Sequence, residues 1–576
     1  MPLLLVVVAV GGIFLVTEVL PWTLSRQTAV KRNGKYDVII IGGGATGAGT
    51  ARDCALRGLS VLLVERKDFA TGATGRNHGL LHSGARYAVT DRESAAECIG
   101  ENRILRTIAR HCVEPTDGLF ISLPEDDLGY QTTFVEACHR AGILAEAISP
   151  EEARRLEPSV NPALVGAVRV PDAAIDPFRL VSANVLDARL HGAEVLTYHE
   201  VVDFIRTGNC IEGVVLRDAS SGELKRVEAK VTVNAGGIWG HLLARKAGVE
   251  VGMIPAKGSL LVFGHRVNQM VINRCRKPAD ADILVPGDTI CLIGTTSDRI
   301  PFEDIDKNEV LSTEVDVLLR EGAKLAPSLA TTRILRAYSG VRPLVAADDD
   351  PTGRSVSRGI VCLDHAERDG LEGFVTITGG KLMTYRLMAE MATDLICRKL
   401  GRTAFCTTAT TPLPGSKSES KRESRRGRRE FISMRAGEKG AEGRHGDRVE
   451  KISFDKPTDA ALVCECEQVS VAEIKYAIES LDATTLVDLK RRTRLGMGTC
   501  QGHICAVRAA GLLGRASGDS EGALSDVASF VNERWRGVCP IAWGDSLVEA
   551  QFTQWFYEGV CGLGEIVDKK DREEMI

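Results

Sequence analysis

A short apolar strand that runs directly into three glycines does most to constrain how this 576-residue chain can fold. Residues 37–41 read Asp-Val-Ile-Ile-Ile and lead into Gly42-Gly43-Gly44-Ala45-Thr46-Gly47, after which helix-forming residues continue to Arg57. Gly42 allows a tight turn, Gly44 lets a pyrophosphate approach the backbone, and Gly47 lets the helix pack closely on the strand. The order of strand, glycines and helix predicts a Rossmann-type nucleotide site. Its candidate residues are Gly42, Gly44, Ala45, Thr46 and Gly47.

A carboxylate follows the second strand of this motif. Glu65 comes directly after Val61 to Val64, where a carboxylate accepts hydrogen bonds from an adenosine ribose and repels a 2′-phosphate. Another strand, Val231 to Asn234, also runs into glycines and is expected to return beside the first turn. A flavoenzyme that also used NAD would usually carry a second glycine fingerprint after a strand, and the sequence has none. The pattern therefore favours FAD.

The remaining chain divides by composition. From 36 to 411 short β-branched strands alternate with amphipathic helices, which predicts an α/β fold with a Rossmann-type FAD-binding domain and an interleaved mixed-sheet substrate domain. Residues 412–459 are rich in Lys and Arg and predict a basic flexible linker. Helical periodicity over 470–480, 485–494 and 504–513 predicts a small helical module spanning 460–515. Residues 516–576 form an aromatic tail that packs on its own domain or on a partner subunit.

The first 30 residues form an apolar segment. Leu3 to Leu24 is long enough to span a bilayer, although Glu18 interrupts it, and the basic residues that follow would keep the rest of the chain in the cytoplasm. The alternative is an upstream extension that the mature protein lacks. The formal net charge of −5 provides no overall basic field, so we expect a small-molecule substrate and no nucleic-acid partner.

Basic residues recur beside glycines in three further runs, 71–87, 339–344 and 378–386. Glycine-rich turns bring backbone close to a ligand, and a dianionic phosphate in a water-poor pocket needs two or more cationic donors. A solvated surface position is the ordinary alternative for any single arginine. Their joint placement favours an anion site. The glycine-rich runs also contribute further cofactor candidates, namely Thr71, Thr74, Gly236, Gly379, Gly380 and Leu382.

Four of the 16 cysteines form a spaced group near the C-terminus. Cys464 and Cys466 are followed by Cys500 and Cys505, with helix-forming sequence between the pairs. Four thiolates in one small module predict a metal site; structural zinc is possible, although it more often uses cysteines two to four residues apart. The scattered remaining thiols indicate a reducing compartment.

Long motifs connect the chain to a known family. The runs IIIGGGATGAG, ATGATGRNHGLLHSGARYAVTD, ILRAYSGVRPL and TITGGKLMTYRLMAE resemble the flavin-dependent glycerol-3-phosphate dehydrogenases, in particular the A-type subunits of the anaerobic enzymes, over about Tyr36 to Leu563. The resemblance implies oxidation of sn-glycerol 3-phosphate to dihydroxyacetone phosphate at the cytoplasmic face of the inner membrane. Electrons would pass through partner subunits, of B type and membrane-associated C type, to membrane quinone.

The same resemblance implies roles for particular residues. Arg86, Arg342, Arg358 and Lys381 would hold the phosphate and the substrate oxygens. The cysteine spacing resembles the domain of bacterioferritin-associated ferredoxins, which implies a [2Fe-2S] cluster with Cys464, Cys466, Cys500 and Cys505 as ligands. Two features depart from the family pattern: the apolar N-terminal segment, and Leu260, which stands where the aerobic branch has a histidine.

Removal of a hydride from the substrate requires a base for the hydroxyl proton. His82 is the predicted base because the pKa of histidine is near the working pH and because it lies close to Arg86 in the sequence; His78 and His265 are alternatives. Two other functions stay open. One is a flavin-dependent dehydrogenase of hydroxy acids or amino acids, which needs a carboxylate site. The other is an electron-transfer subunit that binds flavin and iron-sulfur without turning over substrate.

Overall fold

A computed structural model describes residues 34–307, 309–345, 359–416 and 436–563. The predictions for the apolar segment 1–30 and for Arg358 lie outside these residues. Within the described ranges, every helix is either too short or too polar to cross a membrane.

Two large sheets form the body of the chain. The strands are β1 (Lys35–Ile41), β2 (Val61–Val64), β3 (Leu80–Leu81), β4 (Val113–Glu114), β5 (Gly118–Ser122), β6 (Glu146–Ile148), β7 (Gly166–Val170), β8 (Ala173–Ile175), β9 (Glu194–Leu196), β10 (His199–Thr207), β11 (Cys210–Asp218), β12 (Leu224–Asn234), β13 (Ile254–Phe263), β14 (Val271–Arg274), β15 (Ile283–Pro286), β16 (Cys291–Gly294), β17 (Asp298–Arg299), β18 (Ile334–Leu344), β19 (Ile360–Asp364), β20 (Phe374–Gly379), β21 (Leu462–Cys464) and β22 (Val469–Ser470). One sheet runs β10-β11-β12-β1-β2-β9, with β20 pairing both β12 and β19. The other runs β17-β13-β16-β15-β14-β5-β7-β6, with β18 on β13. This arrangement confirms the predicted α/β class with a mixed second sheet.

Helices cover the sheets and form the C-terminal region. They are α1 (Ala45–Leu56), α2 (Arg92–Ile108), α3 (Leu128–Arg140), α4 (Pro150–Leu156), α5 (Pro177–Leu190), α6 (Gly240–Ala247), α7 (Ser312–Leu325), α8 (His365–Asp369), α9 (Tyr385–Lys399), α10 (Ala436–His445), α11 (Val471–Ser480), α12 (Leu486–Thr493), α13 (Cys505–Ser517), α14 (Ser520–Val538) and α15 (Gly544–Trp555). Helices α11, α12 and α13 coincide with the three helical segments that the periodicity predicts.

The strands of the nucleotide motif lie side by side in the first sheet. β1 pairs in parallel with β2 and β12, with Ile41 opposite Val64 and Asn234. β12 pairs in parallel with β20, with Asn234 opposite Thr376. Because the carboxyl ends of parallel strands meet at one edge, the glycines at 42–44, 236–237 and 379–380 converge there. That edge is where open α/β sheets bind their ligands.

Both faces of β1 are buried. Val38 and Ile40 pack in the core that contains side chains of α1, α5 and α9, while Ile39 and Ile41 pack in the core on the opposite side. Successive side chains of a strand point to opposite faces, so one apolar run supplies both cores. This explains why the run is continuously apolar, as in parallel sheets covered on both sides.

The C-terminal module docks on the nucleotide domain through ion pairs. Asp68 accepts from Arg492 at 2.5 Å and from Arg491 at 2.9 Å. Arg494 lies 2.8 Å from Asp288 on the substrate side. Charged pairs on two sides therefore fix the module against the rest of the chain.

The predicted flexible linker, 412–459, is wrong over part of its length. Residues 436–445 form α10, and a 3-10 turn follows through Lys451. Arg444 donates to Glu473 of α11 at 2.7 and 2.5 Å, and Nε2 of His445 lies 2.8 Å from the same carboxylate. The basic composition predicted a solvated segment, but the buried carboxylate of Glu473 forms an ion pair with Arg444 and a hydrogen bond with His445.

The aromatic tail packs partly on its own chain. Trp535 contacts the core of the second sheet, and Phe530 and Tyr557 are buried in the core of the module. Trp543 and Trp555 expose 51% and 61% of their surface. For these exposed rings, packing on a partner subunit stays a prediction.

Candidate active site and metal centre

The turn after β1 requires glycine at two positions. Gly42 has φ +115°, and a Cβ there would lie 2.5 Å from the carbonyl oxygen of Ala235. A Cβ on Gly47 would lie 1.9 Å from the carbonyl oxygen of Gly42. Both approaches are closer than non-bonded atoms tolerate, so the turn, the returning strand and the first turn of α1 pack together only with hydrogen at these positions.

The N-terminus of α1 has no capping side chain. Gly44 is its N-cap residue and supplies no side chain, and no acidic residue lies in the first turn. The amide of Ala45 donates to Oγ1 of Thr74 at 3.1 Å, which ties the second glycine-rich run to this helix. The partial positive charge of a helix N-terminus without an acidic neighbour suits a pyrophosphate.

Glu65 lies at the end of β2, where the sequence places a ribose contact. Its carboxylate accepts from the amide of Gly43 at 2.7 Å and from the amide of Lys67 at 2.9 Å. Burial raises the pKa of this carboxyl, while the two amides oppose the shift. The backbone bonds fix the carboxylate at the cavity wall, where lone pairs can accept from ligand hydroxyls.

These elements enclose a cavity of about 520 Å³. Its volume is in the range of small-molecule and cofactor sites. Every predicted cofactor residue except Gly47, which packs beneath the turn, lines this cavity. They are Gly42, Gly44, Ala45, Thr46, Glu65, Thr71, Thr74, Gly236, Gly379, Gly380 and Leu382. The glycine cradle and the bare helix end thus fit a dinucleotide such as FAD.

Replacing Gly47 by alanine should weaken FAD binding. The added methyl would have to displace backbone, and overpacking of this kind costs about 1–3 kcal/mol. We expect a roughly 5- to 150-fold lower affinity for FAD, measured by fluorescence titration of the apoprotein. Gly100→Ala in α2 is the matched control, because nothing lies within 4 Å of a Cβ at Gly100. Equal FAD affinity in the two variants would contradict the proposal that the glycine turn binds FAD.

The predicted substrate residues reach the same cavity. His82, Arg86, Arg342 and Lys381 all line it. Arg342, on β18, donates to Oγ1 of Thr295 and to the carbonyl oxygen of Thr296, the latter at 3.2 Å. These contacts with neutral groups fix the orientation of the guanidinium at the cavity wall.

Arg86 is only partly satisfied. One of its terminal nitrogens, Nη2, lies 3.1 Å from the carbonyl oxygen of Ala279 and 3.3 Å from Asp282. The other, Nη1, is buried and has no hydrogen-bond partner among the described residues. Asp282 also binds Arg276 at 2.7 Å, so its charge is shared between two arginines. A buried donor without a partner at a cavity wall is suited to a ligand oxygen.

The proposed base, His82, and Lys381 both lie near the ring of Tyr87. His82 lies 5.6 Å from the ring of Tyr87 between ring centroids, and Nζ of Lys381 lies 4.9 Å from the centroid of the same ring. His78 lies 6.0 Å from His82 and also lines the cavity. His265 is exposed and is not among the residues of the cavity wall. Leu260 is buried and contributes no titratable group.

Sequence patterns missed the residues that hold Arg342. Thr295 and Ser297 lie in a loop after β16, and Glu314 of α7 accepts from Ser259 at 2.7 Å and from Thr296 at 2.9 Å. Lys257 binds Glu314 at 2.8 Å in the same buried network. None of these residues belongs to a recognisable motif; only tertiary structure brings them together.

The four spaced cysteines converge in the C-terminal module. The thiol of Cys505 lies near those of Cys464 and Cys500, and the thiol of Cys466 lies near that of Cys500. The neighbouring thiol of Cys505 lowers the pKa of Cys464 to about 7 and that of Cys500 to about 5. A Cβ on Gly498 would lie 2.6 Å from Cβ of Cys466, so a glycine is needed where the two cysteine loops meet. Thiolates are the ligands that iron-sulfur clusters use.

Comparison with known proteins identifies both regions. The family model described as FAD dependent oxidoreductase matches residues 37–386, and the BFD-like [2Fe-2S] binding domain matches residues 462–515. The chain is 64% identical over 529 residues to the A-type subunit of anaerobic glycerol-3-phosphate dehydrogenase from Escherichia coli (strain K12), which covers 92% of this chain and 97% of the relative. The chain belongs to this family.

Other relatives agree with the assignment. Identity to the corresponding protein of Haemophilus influenzae is 61% over 532 residues, covering 92% of this chain and 94% of the relative. Identity to the A1-type protein of Haloferax volcanii is 42%, covering 88% of each chain. FAD and a [2Fe-2S] cluster are the cofactors of the two matched domains, which confirms both cofactor predictions. The names of these relatives, which designate one component of a larger enzyme, also imply partner subunits.

Solved structures share the fold. The glycerol-3-phosphate dehydrogenase of Bacillus halodurans, solved with FAD, aligns with a TM-score of 0.64 at 22% identity, covering 89% of this chain and 97% of that chain. The glycine oxidase of Geobacillus kaustophilus aligns with a TM-score of 0.52 at 21% identity, covering 66% of this chain and 98% of that chain. These similarities support the fold of the flavin and substrate domains.

Proposed function

We propose that this chain oxidises sn-glycerol 3-phosphate to dihydroxyacetone phosphate and passes the electrons through its cluster and partner subunits to membrane quinone. The observation that carries the proposal is the convergence of Arg86, Arg342 and Lys381 on the cavity that the nucleotide glycines line. FAD held by the glycine turn would supply a hydride acceptor for substrate C2, and a cluster held by the four cysteines would supply one-electron transfer.

The three cations would bind and orient the substrate. Arg342 is held in place by Thr295 and Thr296, and Arg86 has a buried nitrogen without a partner in the described ranges. A phosphate dianion fits these donors better than a monoanionic carboxylate does, because charge-assisted bonds to several donors share its two charges. Binding the phosphate at a fixed point fixes the position of C2.

His82 is proposed to take the hydroxyl proton of the substrate. Its side chain is buried at the cavity wall, and Arg86 and Lys381 line the same cavity. A neutral imidazole can accept the proton that leaves the substrate hydroxyl. The roles of Arg86, Arg342, Lys381 and His82 are therefore distinct: three of them bind the anion and one moves a proton.

The glutamine substitution His82→Gln tests the proton step. It should lower kcat by about a hundredfold, because general-base catalysis contributes typically 10²- to 10⁴-fold. Stopped-flow flavin reduction by sn-glycerol 3-phosphate measures the rate. His265→Gln, at an exposed position, is the control, and a wild-type rate in His82→Gln would exclude His82.

Substrate specificity distinguishes the proposal from the alternatives. With an artificial electron acceptor, sn-glycerol 3-phosphate should support turnover, while glycerol and lactate should not. Turnover with lactate or an amino acid would identify a carboxylate dehydrogenase. Failure of every substrate to reduce the flavin would favour a non-catalytic electron-transfer role.

We propose that the chain works at the cytoplasmic face of the cell membrane. Support comes from the family, whose A-type designation implies partners, with a B type and a membrane-associated C type as the proposed ones. Anchoring by the N-terminal segment is an additional proposal. Sedimentation of the full chain with and without residues 1–30, in the absence of partners, tests whether that segment binds vesicles.

A further inference from the structure

A second, larger cavity is lined by residues of both the flavin domain and the C-terminal module. Its volume is about 2050 Å³. It borders the flavin cavity, since the segment Arg76 to His78 lines both. Strand β18 also runs past both: Arg336 and Tyr338 line the second cavity, and Gly340 and Arg342 line the first. Because side chains alternate along a strand, these four residues share one face of β18.

Four cations from three separate parts of the chain face this second cavity. Arg76 comes from the glycine-rich run, Arg336 from β18, and Lys490 and Arg491 from α12; all four line the cavity. One carboxylate, Glu533 of α14, lies among them, with Nζ of Lys490 at 4.0 Å from its Oε1. The field of Lys490, followed by those of Arg336, Arg491 and Arg76, holds the pKa of Glu533 at about 2 against the effect of burial.

The other nearby carboxylates already have partners. Asp68 binds Arg492 at 2.5 Å in addition to Arg491. Asp306 accepts from Nε1 of Trp239 at 3.1 Å and lies 3.4 Å from Arg66. Positive charge therefore exceeds negative charge around Glu533.

One cation of this cluster has an unpartnered donor, and another is destabilised by burial and by its cationic neighbours. Nε of Arg336 is buried and has no hydrogen-bond partner among the described residues. Burial lowers the pKa of Lys490 to about 8, and Arg336 and Arg491 act in the same direction while Glu533 opposes them. Donors of this kind at a cavity wall gain from an anion, because charge-assisted hydrogen bonds are the strong ones.

We propose that Arg76, Arg336, Lys490 and Arg491 form a second anion site, separate from the one at Arg342, that binds a phosphate dianion. The ligand class is a small phosphomonoester or inorganic phosphate, which several cationic donors can share. A dianion bound there would lie beside the flavin cavity, on the same face of β18 as Arg342. The site would thereby raise the local concentration of anionic ligands next to the substrate residues.

Equilibrium dialysis with radioactive inorganic phosphate tests this site. The full-length, FAD-loaded, oxidised protein is used, so that the pyrophosphate position is filled. The wild type should bind phosphate at two sites per chain. Arg336→Gln and Lys490→Gln should each weaken one of these sites at least tenfold and leave the other unchanged. Arg342→Gln should have the converse effect.

The controls separate the outcomes. Arg217→Gln, which removes an exposed arginine of β11, should leave both sites intact. A single phosphate site in the wild type, or two sites that persist unchanged in both Arg336→Gln and Lys490→Gln, would overturn the proposal. Loss of the Arg342 site alone would count against the proposed substrate site and not against this one. In Arg342→Gln, displacement of the remaining phosphate by dihydroxyacetone phosphate at a lower concentration than by unlabelled phosphate would identify a phosphomonoester as the ligand; displacement by unlabelled phosphate at the lower concentration would identify free phosphate.

Discussion

Replacing Cys500 by serine is expected to abolish the [2Fe-2S] cluster while leaving reduction of the flavin by substrate intact. The thiol of Cys500 lies near those of both Cys505 and Cys466, so it belongs to the set of four thiols. Serine does not replace the thiolate donor that such clusters use. Iron content and the visible and electron paramagnetic resonance signals of the cluster should disappear. Turnover coupled to quinone through partner subunits should fall by more than about a hundredfold, because electrons can no longer leave one at a time.

The matched control for this variant is Cys539→Ser. Cys539 is also a free cysteine of the C-terminal region, but it is exposed. It should retain the full iron content. Unchanged iron in Cys500→Ser would remove this residue from the ligand set, and stoichiometric zinc without iron in the wild type would refute the electron relay. Substrate reduction of the flavin, followed by stopped flow, should have the same rate in all three proteins.

The alanine substitution Arg342→Ala is expected to lower kcat/KM for sn-glycerol 3-phosphate by about 10²- to 10⁴-fold. The estimate assumes loss of two charge-assisted hydrogen bonds at about 1.5–3 kcal/mol each, with 1.4 kcal/mol per tenfold change. Most of the effect should appear in KM. FAD should stay bound, because the side chain contacts Lys257, Ser297, Thr295 and Thr296 and not the glycine turn.

The substitution Arg342→Lys distinguishes the contribution of the positive charge from that of the planar guanidinium group. Lysine keeps the positive charge but loses the planar pair of donors, so we expect an intermediate loss of kcat/KM. Steady-state kinetics with an artificial acceptor measure both variants, and flavin absorbance verifies cofactor content. Wild-type kinetics in Arg342→Ala would remove the residue from the phosphate site.

The sequence predicted the parts of the fold that depend on local order. The strand at 37–41, the glycines and α1 are consecutive, so their packing follows from Gly42 and Gly47 alone. The helices of the cysteine module likewise follow from short periodic segments. The order of α10 could not be predicted in this way, because Arg444 and His445 both bind Glu473, which lies on another element.

For the candidate site, motifs supplied the residue types but not their surroundings. Arg86, Arg342, Lys381 and His82 come from glycine-rich runs, but only Lys381 follows one of the parallel strands that end at one edge. Arg342 lies on β18 of the second sheet, so its approach to the cavity depends on how the two sheets pack. The loop at 295–297 that holds Arg342 and the carboxylate of Asp282 beside Arg86 have no sequence signature. The cluster of cations around Glu533 also could not be predicted, because Arg76, Arg336 and Lys490 lie far apart in the sequence. They come close together only when the C-terminal module packs on the rest of the chain.

The most direct test of the central claim is an anaerobic absorbance titration of the purified FAD- and cluster-loaded protein with sn-glycerol 3-phosphate. Bleaching of the flavin followed by reduction of the cluster, with no change on addition of glycerol, is the predicted result. A flavin that stays oxidised under these conditions would contradict the proposed oxidation of glycerol 3-phosphate.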